Sequence, residues 1–180
     1  MKQPFKSDIE AIRKNAREKI DQGAVTAGYL ADRDQVIDVL NEVLATEIVC
    51  SLRYRNHYFL ASGIFSKPVA DEFLEHATEE QQHADWVAER ITQLGGVPNF
   101  NPVGLATRSH AEYVEGARIQ DMIREDLIAE RIAIETYSEI VRWLDSNDPT
   151  TRRLMERILE VEEHHADDLK NLLEKLGKYS

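Results

Sequence analysis

The 180-residue chain is poor in cysteine, glycine and proline, and it has no long apolar run. Its single cysteine, Cys50, excludes an intrachain disulfide and any four-thiolate zinc or iron site. A membrane span is excluded because no apolar run approaches about 18 residues. The segment 1–20 is charged throughout, so it does not form a secretory signal. We therefore expect a cytoplasmic protein, with Cys50 acting as a small buried hydrophobe.

Basic residues are in the minority as well. The 33 aspartates and glutamates outnumber the 22 lysines and arginines, which gives a formal charge of −11. The arginines are scattered among acids, and a chain of this sign repels DNA phosphate and anionic membranes. We therefore expect that the protein attracts cations and that neither nucleic acid nor a membrane is its partner.

The eight glycines and five prolines fall between long periodic segments, which is typical of an all-α protein. We predict four long helices, over about residues 32–61, 66–94, 109–144 and 149–177. One long crossover, over residues 97–108, joins the second helix to the third. Two short links and one long crossover predict a ferritin-like four-helix bundle rather than a simple up-down bundle.

Local signals set these boundaries. Ser66 and Asp148 are predicted N-caps, each with a proline in the following turn. Gly63 and the pair Gly95–Gly96 are predicted stops. The run Ser109–Glu112 matches a capping box and predicts the start of the third long helix.

The first residues form a separate unit. A short helix is predicted over about residues 7–20, and a loop follows it. We therefore divide the chain into an N-terminal extension, 1–31, and a ferritin-like four-helix bundle, 32–180.

Every long helix carries an apolar stripe that one glutamate interrupts near its middle, and two helices add a histidine three residues later. These residues are Glu47 on the first helix, Glu80 and His83 on the second, Glu130 on the third, and Glu162 and His165 on the fourth. An unpaired buried carboxylate costs several kcal/mol, so four at one level of a core require compensating cations. Two divalent ions balance four carboxylates and leave both imidazoles neutral. The pattern therefore predicts a two-metal site for iron or manganese, and zinc also binds such ligands.

The two halves of the chain repeat this spacing. Glu47 and Glu80 are 33 positions apart, and Glu130 and Glu162 are 32 apart. A pseudo-twofold arrangement gives each metal one terminal glutamate, one histidine and shared bridging glutamates.

The sequence resembles bacterioferritin, within the ferritin-like superfamily, over about residues 34–177. The likeness lies in Glu47, the run Glu80–Asp85, Glu130 and the run Glu162–His165. It implies that Glu47 and Glu130 are terminal ligands, that Glu80 and Glu162 bridge, and that His83 and His165 complete the two sites.

The resemblance also bears on Tyr54, which matches a tyrosine next to the ligands in the family. Tyr54 would bond a bridging carboxylate or donate an electron, and the alternative is an ordinary core tyrosine. His76 is a further candidate neighbour of the site, whereas Glu79 and His164 are expected to face solvent.

Some features depart from bacterioferritin. Its haem-ligating methionine directly follows the second-helix glutamate, where this chain has Gln81, so we expect no haem. There is little room for the family's fifth helix after residue 177. We therefore expect a homo-oligomer in the form of a dodecameric shell, with a smaller oligomer as the alternative.

The resemblance implies a ferroxidase that binds two Fe(II) per subunit, oxidises them with O2 or H2O2, and stores or detoxifies the iron. An alternative with the same fold is a di-iron or di-manganese oxidase, or a peroxide-scavenging enzyme, that stores nothing. A structural, DNA-sheltering stress protein is a third reading, which the ligand set and the negative charge disfavour.

Overall fold

The computed structural model describes residues 5–61 and 66–177. Within those ranges it contains six helices and no strand: α1 Ile9–Asn15, α2 Arg33–Leu60, α3 Ser66–Gln93, α4 Leu105–Arg108, α5 Ile119–Leu144 and α6 Pro149–Gly177. A 3-10 turn covers Ile20–Gln22. None of the described helices combines the length and the apolar character that crossing a membrane requires.

Two helical hairpins form the bundle. Helix α2 packs along α3, and α5 packs along α6. Contacts of α2 with α5 and of α3 with α6 join the two hairpins into one bundle. The expected all-α four-helix architecture with a single long crossover is therefore confirmed.

Capping residues define the ends of these helices as expected. Asp148 precedes Pro149 and accepts a 2.9 Å hydrogen bond from the Thr151 amide. Gly95, two residues after the end of α3, adopts a positive φ of 80°, and the Gly96 amide donates to the Ile91 carbonyl at 2.9 Å. The predicted stop at Gly63 and the capping side chain of Ser66 lie outside the described residues.

The predicted start of the third long helix is wrong. Helix α5 begins at Ile119, ten residues later than Ser109, and the capping box does not form. Ser109 instead follows the short helix α4, and its hydroxyl donates to the Ala111 carbonyl at 2.6 Å. Residues 109–118 run along the bundle without helical structure, and we call them the crossover strap.

Side chains of α2 hold the crossover strap. The hydroxyl of Thr46 accepts the His110 amide at 2.9 Å, and the Arg53 guanidinium donates to the Glu112 carbonyl at 2.8 Å. His57 Nε2 lies 3.0 Å from the carbonyl oxygen of Val114 and donates to it. These long-range bonds outweigh the local capping signal, because they satisfy partly buried backbone groups of the strap.

A buried charge cluster supports that attachment. Asp126 on α5 accepts from Arg53 Nε at 2.8 Å, and its other oxygen lies 2.8 Å from His57 Nδ1. The side chains of all three residues are at most 1% exposed. The strap then turns at Gly116, where φ is 66° and a Cβ atom would lie 2.7 Å from the Met122 side chain.

The N-terminal helix is shorter than predicted. Helix α1 covers Ile9–Asn15 rather than residues 7–20, with Asp8 as its N-cap. Lys19 adopts a left-handed conformation with φ of 48°, which prevents the helix from continuing into the 3-10 turn. None of the α1 side chains is buried, so no packing stabilises a longer helix there.

The apolar core has two large clusters, one toward each end of the bundle, and a small third cluster of Cys50, Ala111 and Ala129. The first includes Leu40, Ile91, Leu144 and Met155, and the second includes Phe73, Ile123 and Leu169. On each long helix, the interrupting glutamate lies between the residues of one cluster and those of the other. The bundle therefore has a polar layer between two apolar ones.

Candidate metal centre

All six predicted ligands lie in this polar layer. Each is at most 2% exposed, so four carboxyl groups and two imidazoles share the middle of the core. Helices α2 and α5 each contribute one glutamate, and α3 and α6 each contribute a glutamate with a histidine one turn later. Regular helices thus bring together residues that are far apart in the sequence.

The six residues form two overlapping groups. Glu47 and His83 belong to one group, Glu130 and His165 belong to the other, and Glu80 and Glu162 belong to both. In each group, four ligand atoms lie within 4.8 Å of one another. This arrangement has the approximate twofold symmetry that the repeated spacing predicts.

The two histidines present the same ring nitrogen to the centre. His83 Nδ1 lies 3.1 Å from carboxylate oxygens of both Glu47 and Glu162. His165 Nδ1 lies 3.3 Å from Glu162, 3.5 Å from Glu80 and 3.7 Å from Glu130. Both imidazoles therefore face the carboxylates that the two groups share.

Two tyrosines bind the outer carboxylates. The Tyr54 hydroxyl donates to Glu130, and the Tyr137 hydroxyl donates to Glu47. Tyr54 thus bonds Glu130, a predicted terminal ligand, rather than either of the predicted bridging glutamates, because its ring reaches from α2 across to α5. Tyr137 was not predicted, although it follows Glu130 by the same seven positions that separate Tyr54 from Glu47.

On the α6 side, neighbouring residues connect the centre to the surface. His165 Nε2 lies 2.7 Å from Glu79, whose side chain is 45% exposed, so Glu79 is a hydrogen-bonding partner as well as a solvent-facing residue. The His76 ring stacks on that of His165 with centroids 3.9 Å apart, and its Nδ1 lies 3.3 Å from the Tyr54 hydroxyl. His164 faces solvent, as expected.

Crowding of the carboxyl groups changes their proton affinities. Burial, together with the charges of Glu162 and Glu47, raises the pKa of Glu80. Burial and the charges of Glu47 and Glu130 raise the pKa of Glu162 to about 7. Glu130 behaves differently: burial opposes its ionisation, but His165 and Tyr54 outweigh burial and lower its pKa to about 2.

Burial and the neighbouring carboxylates also shift the pKa values of the imidazole and phenol groups. Burial alone would lower the pKa of His83, but Glu162 and Glu47 outweigh burial and raise it to about 10. Burial raises the pKa of Tyr54 and Tyr137, so both hydroxyl groups remain protonated donors. The protein's own groups thus offset the carboxylate charge by holding protons, which bound cations would displace.

The donor atoms fit divalent cations. Within the described residues, four buried atoms of the centre make no hydrogen bond: Glu80 Oε1, both Glu162 carboxylate oxygens and His165 Nδ1. Buried polar atoms are normally paired, so this concentration indicates a missing partner. Oxygen and imidazole ligands suit Fe(II), Mn(II) and Zn(II).

Comparison with known proteins agrees with this geometry. The family model described as "Ferritin-like domain" matches residues 37–178. This chain belongs to the ferritin-like family. The match spans all four long helices, and the expected relation to bacterioferritin is confirmed by a bacterioferritin of Desulfovibrio desulfuricans. Over 148 residues, 81% of the ferritin-like chain and 79% of that relative, the two are 31% identical.

Solved structures extend the comparison. The dodecameric thioferritin of Bacteroides fragilis, a bacterioferritin-related protein, superposes with a TM-score of 0.80 at 30% identity, covering 83% of the ferritin-like chain and 90% of that chain. The structure of D. desulfuricans bacterioferritin, which is described with a diiron site in different catalytic states, gives a TM-score of 0.72 at 28% identity. It covers 81% of the ferritin-like chain and 82% of its own.

Proposed function

We propose that the protein is a ferroxidase, which binds two Fe(II) ions in each chain and oxidises them with O2 or H2O2. One observation carries this proposal: two four-ligand groups share Glu80 and Glu162 in a buried layer. Such sharing suits two metal ions held side by side. Membership of the ferritin-like family supports iron as the metal, and manganese and zinc also fit the donor set.

Each of the six residues has a definite role in this proposal. Glu47 and Glu130 are terminal ligands, Glu80 and Glu162 bridge the two ions, and His83 and His165 complete one site each. The hydroxyls of Tyr54 and Tyr137 orient the terminal carboxylates, since each donates to one of them. Glu79 fixes the His165 ring through Nε2 and leaves Nδ1 directed at the centre.

Fe(II) is the substrate of the reaction. Two Fe(II) ions supply two electrons, which with two protons convert O2 to H2O2 or H2O2 to two waters. The chain holds the two ions together, keeps the oxidant close to both, and excludes bulk water with the apolar clusters above and below. The four carboxylates balance the charge of two Fe(II) ions, and they attract the more highly charged Fe(III) product more strongly.

We also propose that the chain assembles into a closed homo-oligomer that stores the oxidised iron. The thioferritin with which it superposes is dodecameric, and we expect the same number here. In this proposal residues 32–180 form the metal-binding bundle and residues 1–31 form an extension outside it. Light scattering after size-exclusion chromatography measures the assembly directly.

An anaerobic Fe(II) titration of the metal-free protein, followed by admission of oxygen, tests the ferroxidase. We expect saturation near two ions per chain and rapid oxidation, with further uptake of many ions if the shell stores mineral. Glu80→Ala should abolish the stoichiometric binding and the rapid phase. Gln81→Ala, which changes the exposed neighbour of Glu80, is the matched control and should behave as the wild type.

The outcomes separate the alternatives. Stoichiometric oxidation without further uptake would indicate an oxidase or peroxide scavenger that does not store iron. If Fe(II) does not bind but Mn(II) does, the iron assignment is wrong and a manganese enzyme is indicated. If neither metal binds, the whole proposal fails.

A further inference from the structure

Just outside the paired centre, a second kind of ligand cluster lies between α3 and α6. It consists of Glu72, His76 and Asp168, and each residue offers a ligand atom within 4.8 Å of the others. Glu72 and His76 are four residues apart on α3 and therefore share a face, and Asp168 approaches them from α6. Neither Glu72 nor Asp168 belongs to the paired groups.

His76 is the informative member of this cluster. Its side chain is 3% exposed, and within the described part of the chain its Nε2 makes no hydrogen bond. The nearest carboxylate oxygen to this nitrogen is Glu72 Oε1, at 3.6 Å, which is too long for a hydrogen bond. Two ligands that each bind one ion at about 2.1 Å lie about 3.0–3.4 Å apart, so a small adjustment would accommodate a cation between them.

The charge of the cluster also favours a cation. Burial and the neighbouring carboxylates of Asp168 and Glu75 raise the pKa of Glu72, and Lys175 and His164 offset only part of that effect. His164 lies 3.3 Å from Asp168 Oδ2 and fixes the orientation of this carboxylate. A divalent ion between them would neutralise Glu72 and Asp168 together.

We propose that Glu72, His76 and Asp168 form a third divalent-cation site, separate from the paired centre. One imidazole and two carboxylates suit Zn(II), Fe(II) or Mn(II). Glu72 and Asp168 are each 30% exposed, so the site opens to solvent and leaves coordination positions for water. Three protein ligands plus water are typical of zinc sites that keep an open coordination position.

The position of His76 gives this site a role as a relay. The same imidazole also lies within 4.8 Å, ligand atom to ligand atom, of Glu130 and His165 in the paired centre. An ion bound at the outer site is therefore one imidazole away from the inner ligands. This relay role rests on the proposed ferroxidase function, whereas binding at the outer site does not depend on it.

Zinc alone is the probe for binding. We expect calorimetry to give about three Zn(II) per wild-type chain, and anomalous diffraction to place the third ion beside His76. The double variant Glu72→Gln/Asp168→Asn should lose that ion, or bind it at least ten-fold more weakly, while retaining the paired ions. The matched control is Asp167→Asn, an exposed carboxylate next to Asp168, and it should retain all three.

The outcomes distinguish this site from the paired centre. Two zinc ions in both the wild type and the double variant, with no anomalous density beside His76, would overturn the third site and leave the paired centre intact. Density beside His76 without paired ions would support the third site and overturn the proposed ferroxidase centre.

The relay role is tested by stopped-flow oxidation of two Fe(II) per chain. We expect the double variant to slow the oxidation several-fold with an unchanged amplitude. An unchanged rate would overturn the relay, even if the third ion binds.

Discussion

At the scale of single residues, the centre is a set of carboxylates and imidazoles whose orientation is controlled by the groups behind them. Tyr54 and Tyr137 each donate to a terminal glutamate, and Glu79 bonds the outer nitrogen of His165. Within the described residues, Glu79 is the partner of this set that reaches solvent, with 45% of its side chain exposed. The two halves of the centre are therefore not equivalent in their access to water.

Glu79→Gln tests the contribution of that outer hydrogen bond. Glutamine keeps the size of the side chain but removes the charge that orients the His165 ring. Partners of this kind typically contribute 10- to 100-fold to metal affinity, so we expect one of the two ions to bind about 10-fold more weakly. Calorimetric titration with Zn(II) measures the effect. Glu160→Gln, an exposed glutamate of α6, should leave both affinities unchanged, and equal loss in both variants would contradict the role of Glu79.

At the scale of structural elements, the crossover strap shows how tertiary contacts override a local signal. The capping box at Ser109–Glu112 satisfies the sequence rule for a helix start, yet α5 begins at Ile119. Arg53 and His57 bind the strap carbonyls, and both side chains also bond Asp126. Sequence periodicity does not reveal these partners, because they lie 59 and 57 positions from the strap residues that they bind.

Asp126→Asn is expected to destabilise the bundle strongly. The substitution leaves the Arg53 guanidinium buried without its counter-charge, which typically costs about 3–5 kcal/mol. Urea unfolding followed by circular dichroism measures the loss of free energy. The control is Asp71→Asn, which removes an exposed ion pair with Lys67 and should leave the unfolding midpoint unchanged. Equal midpoints for Asp126→Asn and the wild type would show that the strap does not depend on this charge.

Asp148 makes a pH-dependent contribution at the start of α6. Burial alone would raise its pKa, but hydrogen bonds from Thr151 and Tyr29 and the charge of Arg90 hold the pKa below its usual value. The stabilisation is therefore complete above the unfolded pKa of about 3.9, and it is lost as pH falls through the lower folded value.

Asp148→Asn should reduce the free energy of unfolding by about 1–3 kcal/mol at pH 7, because Arg90 loses a charged hydrogen-bonding partner. The difference from the wild type should shrink as the pH falls below about 4. Urea unfolding at a series of pH values measures it. A difference that is constant from pH 7 to pH 3 would show that the Asp148 charge is not responsible.

At the scale of the whole molecule, the bundle contains a charged layer where a core of maximal stability would be apolar. This charged layer reduces the stability of the metal-free fold. Burial and neighbouring carboxylates raise the pKa of Glu162 to about 7, so the folded chain disfavours its charged form. A bound cation reverses this effect by stabilising the folded state alone. The stability of the protein should therefore depend on its metal content.

Glu162→Gln provides the test. In a chelator at pH 8, the variant should be more stable than the wild type by about 1–2 kcal/mol, because it removes a buried like charge. With Zn(II) at about 100 times its Kd, the wild type should gain about 2.7 kcal/mol for each bound ion, and the variant should gain much less. Thermal unfolding with and without Zn(II) measures both. The same order of stability under both conditions would contradict a metal-binding layer.

The sequence predicts the long helices and the ligand positions, because helix periodicity and the glutamates that interrupt each apolar stripe can be recognised from the sequence alone. The stripe positions of Glu47, Glu80 and Glu130 follow from a period of 3.6 residues, and all three are buried at one level. The short N-terminal helix and the strap were not predicted correctly, because distant contacts and a lack of packing decide them. Tyr137 could have been found from its seven-residue spacing after Glu130, had the internal repeat been extended beyond the ligands.

The division of the ligands between the two hairpins has a consequence for the order of folding. Helices α2 and α3 carry Glu47, Glu80 and His83, while α5 and α6 carry the other three, so neither hairpin holds a complete group by itself. We expect each hairpin to form first, from contacts close in sequence, and docking of the two hairpins to bring the carboxylates together last. Docking should therefore be the step that mutual repulsion slows. Metal ions would bind after docking, and they would lower the unfolding rate without accelerating the formation of either hairpin.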